Sequence, residues 1–264
     1  MYTHSRSRLK LFVIGLFLVS LGVLATSAYA SHSWGNYHWA RTANPLTLKL
    51  GDNVASTWDA YLATAATDWT QSTVLDTVVV AGQANPKNCR ATNGRVEVCN
   101  SRYGNNGWLG IASIWANGDH ITQGTVKLND TYFNTAKYNT PAWRQFVVCQ
   151  EVGHTFGLDH QDEVFDNPNL GTCMDYTSDP TTNQHPNQHD YDQLTTIYTH
   201  LDSFTTLAAS AFGNSASAAT KDIDTNNQSE WGKSIRTSRD GRSSLFERDL
   251  GKGQKLFTFV VWAN

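Results

Sequence analysis

Leu46, Leu48 and Leu50 alternate with polar neighbours, the period of a half-buried strand. Trp58, Tyr61, Leu62, Ala65, Ala66 and Trp69 then recur at helical spacing, with Ser56 and Asp59 placed as a capping pair. Thr77–Ala81 is β-branched and apolar and predicts a second strand. Trp108–Ala116 and His120–Asn129 are two further strand-like runs joined by Asn117-Gly118-Asp119. Thr140-Pro141 opens a long helix by the N-cap and first-turn proline rule, and Gly157 closes it. Asp190–Leu201 reads as a shorter helix. Strands that precede helices, with only the first helix set between strands, predict an α+β fold. After Asp202 the composition changes: residues 203–230 carry Ala, Ser, Asn and Thr in linker proportions, and residues 231–264 hold three short strand-like runs, Lys233–Thr237, Ser243–Asp249 and Lys255–Trp262. A cysteine-free tail of that length is shorter than the roughly 40 residues that fold alone, so it is expected to dock on the main domain or on a partner.

The first thirty residues do not fit either pattern. Arg6, Arg8 and Lys10 precede an apolar run from Leu11 to Leu24, and Ala28-Tyr29-Ala30 is a small-x-small exit, which together read as a secretory signal peptide. The apolar run is shorter than the roughly 20 residues of a comfortable membrane span, so no stable span is expected after cleavage. Loss of three positive charges and no negative one carries the net charge from −3 to −6. With charged residues at only 16% and no basic field, neither a disordered polyelectrolyte nor a nucleic-acid partner is indicated, and a secreted monomer is expected.

Four cysteines in an exported chain imply two disulfides, for which three pairings exist. Spacing favours Cys89–Cys99, set opposite each other if Asn93-Gly94-Arg95 makes a three-residue hairpin turn, and Cys149–Cys173.

The stretch with chemical content runs from Cys149 through Gln150, Glu151, His154 and Gly157 to His160. On a helix, positions 150 and 154 project to one face and can reach a single ion, while Glu151, offset by about 100°, lies beside it. Gly157 allows a sharp turn that returns His160 to the same place. Cys173-Met174-Asp175-Tyr176 follows, with Met174 the one methionine besides the initiator. This pattern resembles the metzincin clan of zinc endopeptidases, most closely the matrixins in the helix wording and the astacins in the Met-x-Tyr turn, over about residues 46–202.

The resemblance implies a domain with a twisted mixed sheet, a long active-site helix and a Met-turn, followed by a small C-terminal β appendage. It implies one zinc ion held by His154 and His160, with Glu151 as general base and Met174 as the floor of the site. Tyr176 matches the tyrosine that can donate to the oxyanion. Gly110, Ile111 and Ala112 would lie on the edge strand that pairs with an extended peptide or protein substrate. A Cys149–Cys173 bridge would then staple the floor to the helix, stabilising by about 3 kcal/mol.

One position departs from the pattern: Gln150 stands where the clan has its first histidine ligand. Gln150 could ligate through its carbonyl oxygen, Tyr176, His185 or His189 could complete the set, or the chain could be a metal-free relative that binds peptides without cutting them. Cys149 as a zinc thiolate is a further rival. For structural calcium, Asp162, Glu163 and Asp166 are the best acidic cluster, but no ordered run of ligands marks a site. No latency motif is readable before residue 46.

Overall fold

In the computed structural model, which describes residues 31–207 and 223–263, the alternating leucines form β2 (Leu46–Asn53) with Leu46, Leu48 and Leu50 buried. The leader of residues 1–30 and most of the linker lie outside the described residues. β2 pairs in parallel with β3 (Leu75–Ala81) on one side and β4 (Val96–Ser101) on the other. β4 runs parallel to β6 (His120–Asn129), which also takes the two-residue β1 (His38–Trp39) in parallel. β5 (Trp108–Asn117) folds back on β6 as the antiparallel half of a hairpin, turning at Gly118. The architecture is α+β: a large mixed sheet with few helices.

Two helices cover one face of this sheet. α1 (Ser56–Trp69) buries Trp58, Leu62, Ala65, Ala66 and Trp69, the residues marked by the helical period. Its cap is not the one expected: Ser56 is already helical, the N-cap is Ala55 with no side-chain bond, and the Ala55 amide donates instead to Asn100 Oδ1 at 2.6 Å. After the single turn α2 (Asp130–Phe133), α3 (Pro141–His154) starts on Thr140, whose hydroxyl accepts from the Trp143 amide. From Trp143 onward every α3 residue is buried. α4 (Gln188–Ile197) begins two residues before its expected start, opened by a full capping box from Asn187 and Asp190.

The cysteines pair as Cys89–Cys99, with Cα atoms 6.0 Å apart, and Cys149–Cys173, at 5.9 Å. The first bridge does not span a hairpin. Cys89 sits in an irregular turn, its amide donating to Asn85 O, and β4 finds its neighbours in β2 and β6. Asn93-Gly94 still turns, with Gly94 at φ +76°, but it delivers the chain into a parallel strand.

The largest difference from expectation lies at β5. The residues Gly110, Ile111 and Ala112 are not on a sheet edge. β7 (Lys233–Thr237), β8 (Ser243–Gly251) and β9 (Gln254–Trp262) continue the same sheet in the order β5-β9-β8-β7, all antiparallel. β9 pairs with nearly the whole of β5, setting Val261 opposite Gly110, Val260 opposite Ile111 and Phe259 opposite Ala112. The physical reason is that Trp108–Ala116 is buried on both faces, which an edge strand cannot be. Phe257, Phe259 and Val261 join the main core, while Val260 packs with Trp108, Ile111, Trp231 and Phe246 on the other face. The sheet ends instead on β7, whose KSIRT sequence is largely exposed and carries two cations.

Buried Lys127 on β6 fastens the return of the chain after the linker: its ammonium donates to Thr225 Oγ1 at 2.6 Å and Asn226 Oδ1 at 2.8 Å, beside the Tyr103 ring. Burial lowers its pKa from 10.5 to about 7, against the opposing pull of Asp224. Between those values the unfolded chain holds a proton that the folded chain releases, so stability rises with pH. Urea midpoints followed from pH 7 to pH 10 are expected to climb in the wild-type chain and to climb much less in Lys127→Met.

Candidate functional site

The C-terminal half of α3 and the two residues beyond it are held by side chains that donate to main-chain carbonyls. Trp69 Nε1 donates to Cys149 O at 3.2 Å, Trp34 Nε1 to His154 O at 3.0 Å and Trp39 Nε1 to Thr155 O at 2.8 Å. Tyr198 donates its hydroxyl to Phe156 O at 3.0 Å. The helix then breaks at Gly157, at φ +100°, where an added Cβ would lie 2.4 Å from Tyr37 O. That turn brings His160 back against His154, with ring centroids 4.5 Å apart and the planes nearly perpendicular.

The segment Cys173–Tyr176 makes a tight turn beneath the helix. The Gln150 amide nitrogen donates to Cys173 O at 2.9 Å, and Met174 O accepts from the Gln161 amide. Met174 is fully buried, its sulfur facing Gly153; a Cβ at Gly153 would come within 2.7 Å of both that sulfur and Trp69 Cζ2. Tyr176 lies against His160 at 3.9 Å and is stacked from behind by Phe165 at 4.5 Å. On the opposite side, Glu151 lies over Gly110 of β5, where an added Cβ would meet Oε1 at 2.8 Å.

The polar atoms of these residues are unusual for a protein interior. Gln150 Oε1, both Glu151 oxygens, His154 Nε2, His160 Nε2 and the Tyr176 hydroxyl are all buried without a hydrogen-bond partner. His154 Nδ1 lies 2.9 Å from Leu158 O, and a carbonyl only accepts, so this nitrogen carries the hydrogen and Nε2 presents its lone pair inward. His160 Nδ1 faces Asp159 at 3.3 Å and Glu163 at 3.7 Å, which likewise leaves Nε2 for the interior. Burial pushes the Glu151 carboxyl well above the usual carboxylate range, with a smaller opposing effect from the Ala112 amide. Burial also holds His154 well below its usual value, reinforced by His160, and raises the Tyr176 phenol.

The C-terminal strands close this cluster. Phe259 of β9 stacks on the His154 ring at 4.0 Å with planes 12° apart. Arg236 of β7 forms a two-pronged contact with the Asp159 carboxylate and reaches Glu163 through Nε at 2.9 Å. Arg242, in the β7–β8 turn, lies 3.9 Å over the Phe165 ring and donates to Ser178 at 2.8 Å. Burial tends to raise the Asp159 carboxyl, but His160 and Arg236 outweigh it and hold it below the usual carboxylate range.

Gln150, Glu151, His154, His160, Met174 and Tyr176 are therefore gathered in one place. His185 and His189 are not: His185 bonds to Asp68 at 2.7 Å and His189 stacks on His32. Cys149 is bonded to Cys173 and offers no thiolate. Of the acidic cluster, Glu163 is engaged by Arg236, and Asp162 Oδ1 accepts from the Val164 amide. Phe259 and Arg236 carry no sequence signal of their own, since each meets the site through a contact about 80 to 100 residues away along the chain. Gly153→Ala is expected to lower stability by about 1–3 kcal/mol by overpacking against Met174 and Trp69, measured by urea unfolding.

No family model matches this sequence, and no curated protein matches it. Among solved structures the chain is similar to high choriolytic enzyme 1, a hatching enzyme zinc-protease from the medaka fish Oryzias latipes. The sequence identity is 10% and the TM-score 0.33, over 61% of this chain and 94% of that one.

Proposed function

We propose that this chain is a secreted zinc-dependent endopeptidase of metzincin type, held closed here by its own C-terminal strands. The observation that carries the reading is the set of unpartnered buried donor atoms around α3 and the Met174 turn. Removing so many polar atoms from water without replacement bonds is unfavourable by about 1–3 kcal/mol each, and a cation among them would relieve much of it. Two imidazole nitrogens, an amide oxygen and a phenol are chemically suited to zinc, although the amide is the weaker ligand.

In this reading His154 and His160 hold the ion through Nε2 and Gln150 adds Oε1, its own nitrogen being tied to Cys173 O. Bound zinc supplies a Lewis acid that polarises a peptide carbonyl and acidifies water. Glu151 takes the proton of the attacking water on its carboxylate and delivers it to the leaving amine. Tyr176 donates its hydroxyl to the oxygen that gains charge. Gly110–Ala112 present the main-chain groups that line up a substrate, and in this structure β9 satisfies those groups in the antiparallel sense expected of a peptide. In this reading the C-terminal strands keep the site latent.

A second reading has its own observation. The same β9 pairing, with Gln150 in place of a histidine, also suits a non-catalytic module in which the cleft is permanently filled. Two measurements separate the readings. Glu151→Gln is expected to keep the zinc that His154→Ala loses while lowering peptide cleavage at least about 100-fold. Arg236→Ala, which removes the contacts to Asp159 and Glu163, is expected to raise cleavage several-fold. Zinc binding or cleavage created from nothing by Gln150→His would overturn the catalytic reading in favour of the binding module.

A further inference from the structure

Four side chains outside the α3 cluster meet where β1, the start of β6 and the segment after α4 come together. Asp202 Oδ1 lies 3.5 Å from His38 Nε2, 3.2 Å from His120 Nε2 and 3.7 Å from His200 Nε2. The Nε2 atoms of His38 and His200 are themselves 3.1 Å apart. The carboxylate is not free to turn away from them. Its other oxygen accepts from the Arg41 amide at 3.1 Å and from Arg41 Nη1 at 3.3 Å, and the Asp202 amide donates to Arg41 O at 2.9 Å.

His38 is fixed as well. Its Nδ1 lies 2.7 Å from Asn36 O, and because a carbonyl only accepts, Nδ1 carries the hydrogen. In the neutral ring Nε2 then presents a lone pair toward another imidazole nitrogen and a carboxylate oxygen. A neutral His200 ring with its hydrogen on Nε2 donates to that lone pair, and His120 donates likewise to Asp202, so hydrogens satisfy these contacts one pair at a time. A cation among them would serve the His38, His200 and Asp202 atoms together.

The spacing suits a cation of a particular kind. Zinc bonds of about 2.0–2.1 Å in tetrahedral geometry set the ligand atoms about 3.3 Å apart. The separations among His38, His200 and Asp202, 3.1, 3.5 and 3.7 Å, bracket that value, while His120 stands 3.2 Å from Asp202 but outside that group of three. Two imidazoles and one carboxylate also favour a zinc-class ion over calcium or magnesium, which take oxygen ligands. The Asn36 carbonyl on His38 and the Arg41 contacts on Asp202 are the outer-shell bonds that orient ligands. His38, His120 and His200 line a cavity of about 540 Å³, which gives an ion a way in.

We propose that His38, His200 and Asp202 form a second site for a zinc-class cation, separate from the α3 cluster. The ligand atoms of these three residues all lie within 4.8 Å of one another, and His120 reaches the Asp202 carboxylate from β6 and steadies it. An ion here would tie β1 to the segment that follows α4, just ahead of the linker to the C-terminal strands.

The test is zinc content per chain of residues 31–264 after dialysis from micromolar zinc chloride, by elemental mass spectrometry. The wild-type chain is compared with His200→Ala and with His120→Ala/His200→Ala. His200 is 56% exposed, so its removal leaves the packing in place, and near-ultraviolet circular dichroism checks this. Each variant is expected to hold one zinc fewer than wild type, whether or not α3 holds its own. Cobalt-loaded His154→Ala, in which the α3 cluster is disabled, is expected to show a visible band that adding His120→Ala/His200→Ala removes. Variants that keep the wild-type zinc content would overturn the proposal and leave a hydrogen-bonded His–Asp cluster. Loss of zinc in His154→Ala alone reports on α3, so the two readings fail separately.

Discussion

The ladder between β5 and β9 is the interaction on which the arrangement of the molecule depends. Without it, β5 would present a row of unpaired amides and carbonyls beside a run of side chains that are buried on both faces. With it, both polar edges of β5 are paired, two hydrophobic clusters close on opposite faces of β9, and the sheet terminates at a strand that carries charge. The same pairing sets Phe259 over His154, so main-chain hydrogen bonding and the sealing of the cluster are one event.

Beneath that seal, the geometry of α3 follows from small residues and indoles. Gly110 and Gly153 leave room on two sides of the helix, one for the Glu151 side chain and one for the Met174 sulfur. Three tryptophans spend their single donors on carbonyls in α3 or of the residue just after it, so the end of the helix is fixed by side chains drawn from α1, the lead-in and β1. A rigid support of this kind lets a cluster of unpaired polar atoms persist at a place where the interior would otherwise rearrange to satisfy them.

Much of this was legible in the sequence, and most of what was not depends on contacts between distant parts of the chain. The leucine alternation of β2, the helical period of α1 and the Thr140-Pro141 start of α3 are local signals, and each produced the element it announced. The spacing from Gln150 to His160, with Gly157 between, brought together the residues it was expected to gather. The open edge at Gly110–Ala112 was misread, although Trp108–Ala116 lacks the polar alternation of a half-solvated strand, which is the mark of an interior one. The Cys89 hairpin failed because an Asn-Gly turn is equally able to feed a parallel strand. Ser56 failed as a cap because Asn100, distant in sequence, supplied the acceptor. Arg236, Phe259 and the partners of His120 depend on contacts across the fold, where no local period reports.

Covalent continuity gives the β9 contact a thermodynamic character that a separate strand would lack. A strand carried on the same chain pairs with β5 as a unimolecular partner, so the pairing does not depend on protein concentration. A free peptide would have to compete with a partner that dilution does not remove. Cutting the chain between residues 207 and 223 would change the order of the reaction, turning a concentration-independent equilibrium into one that dilution can shift.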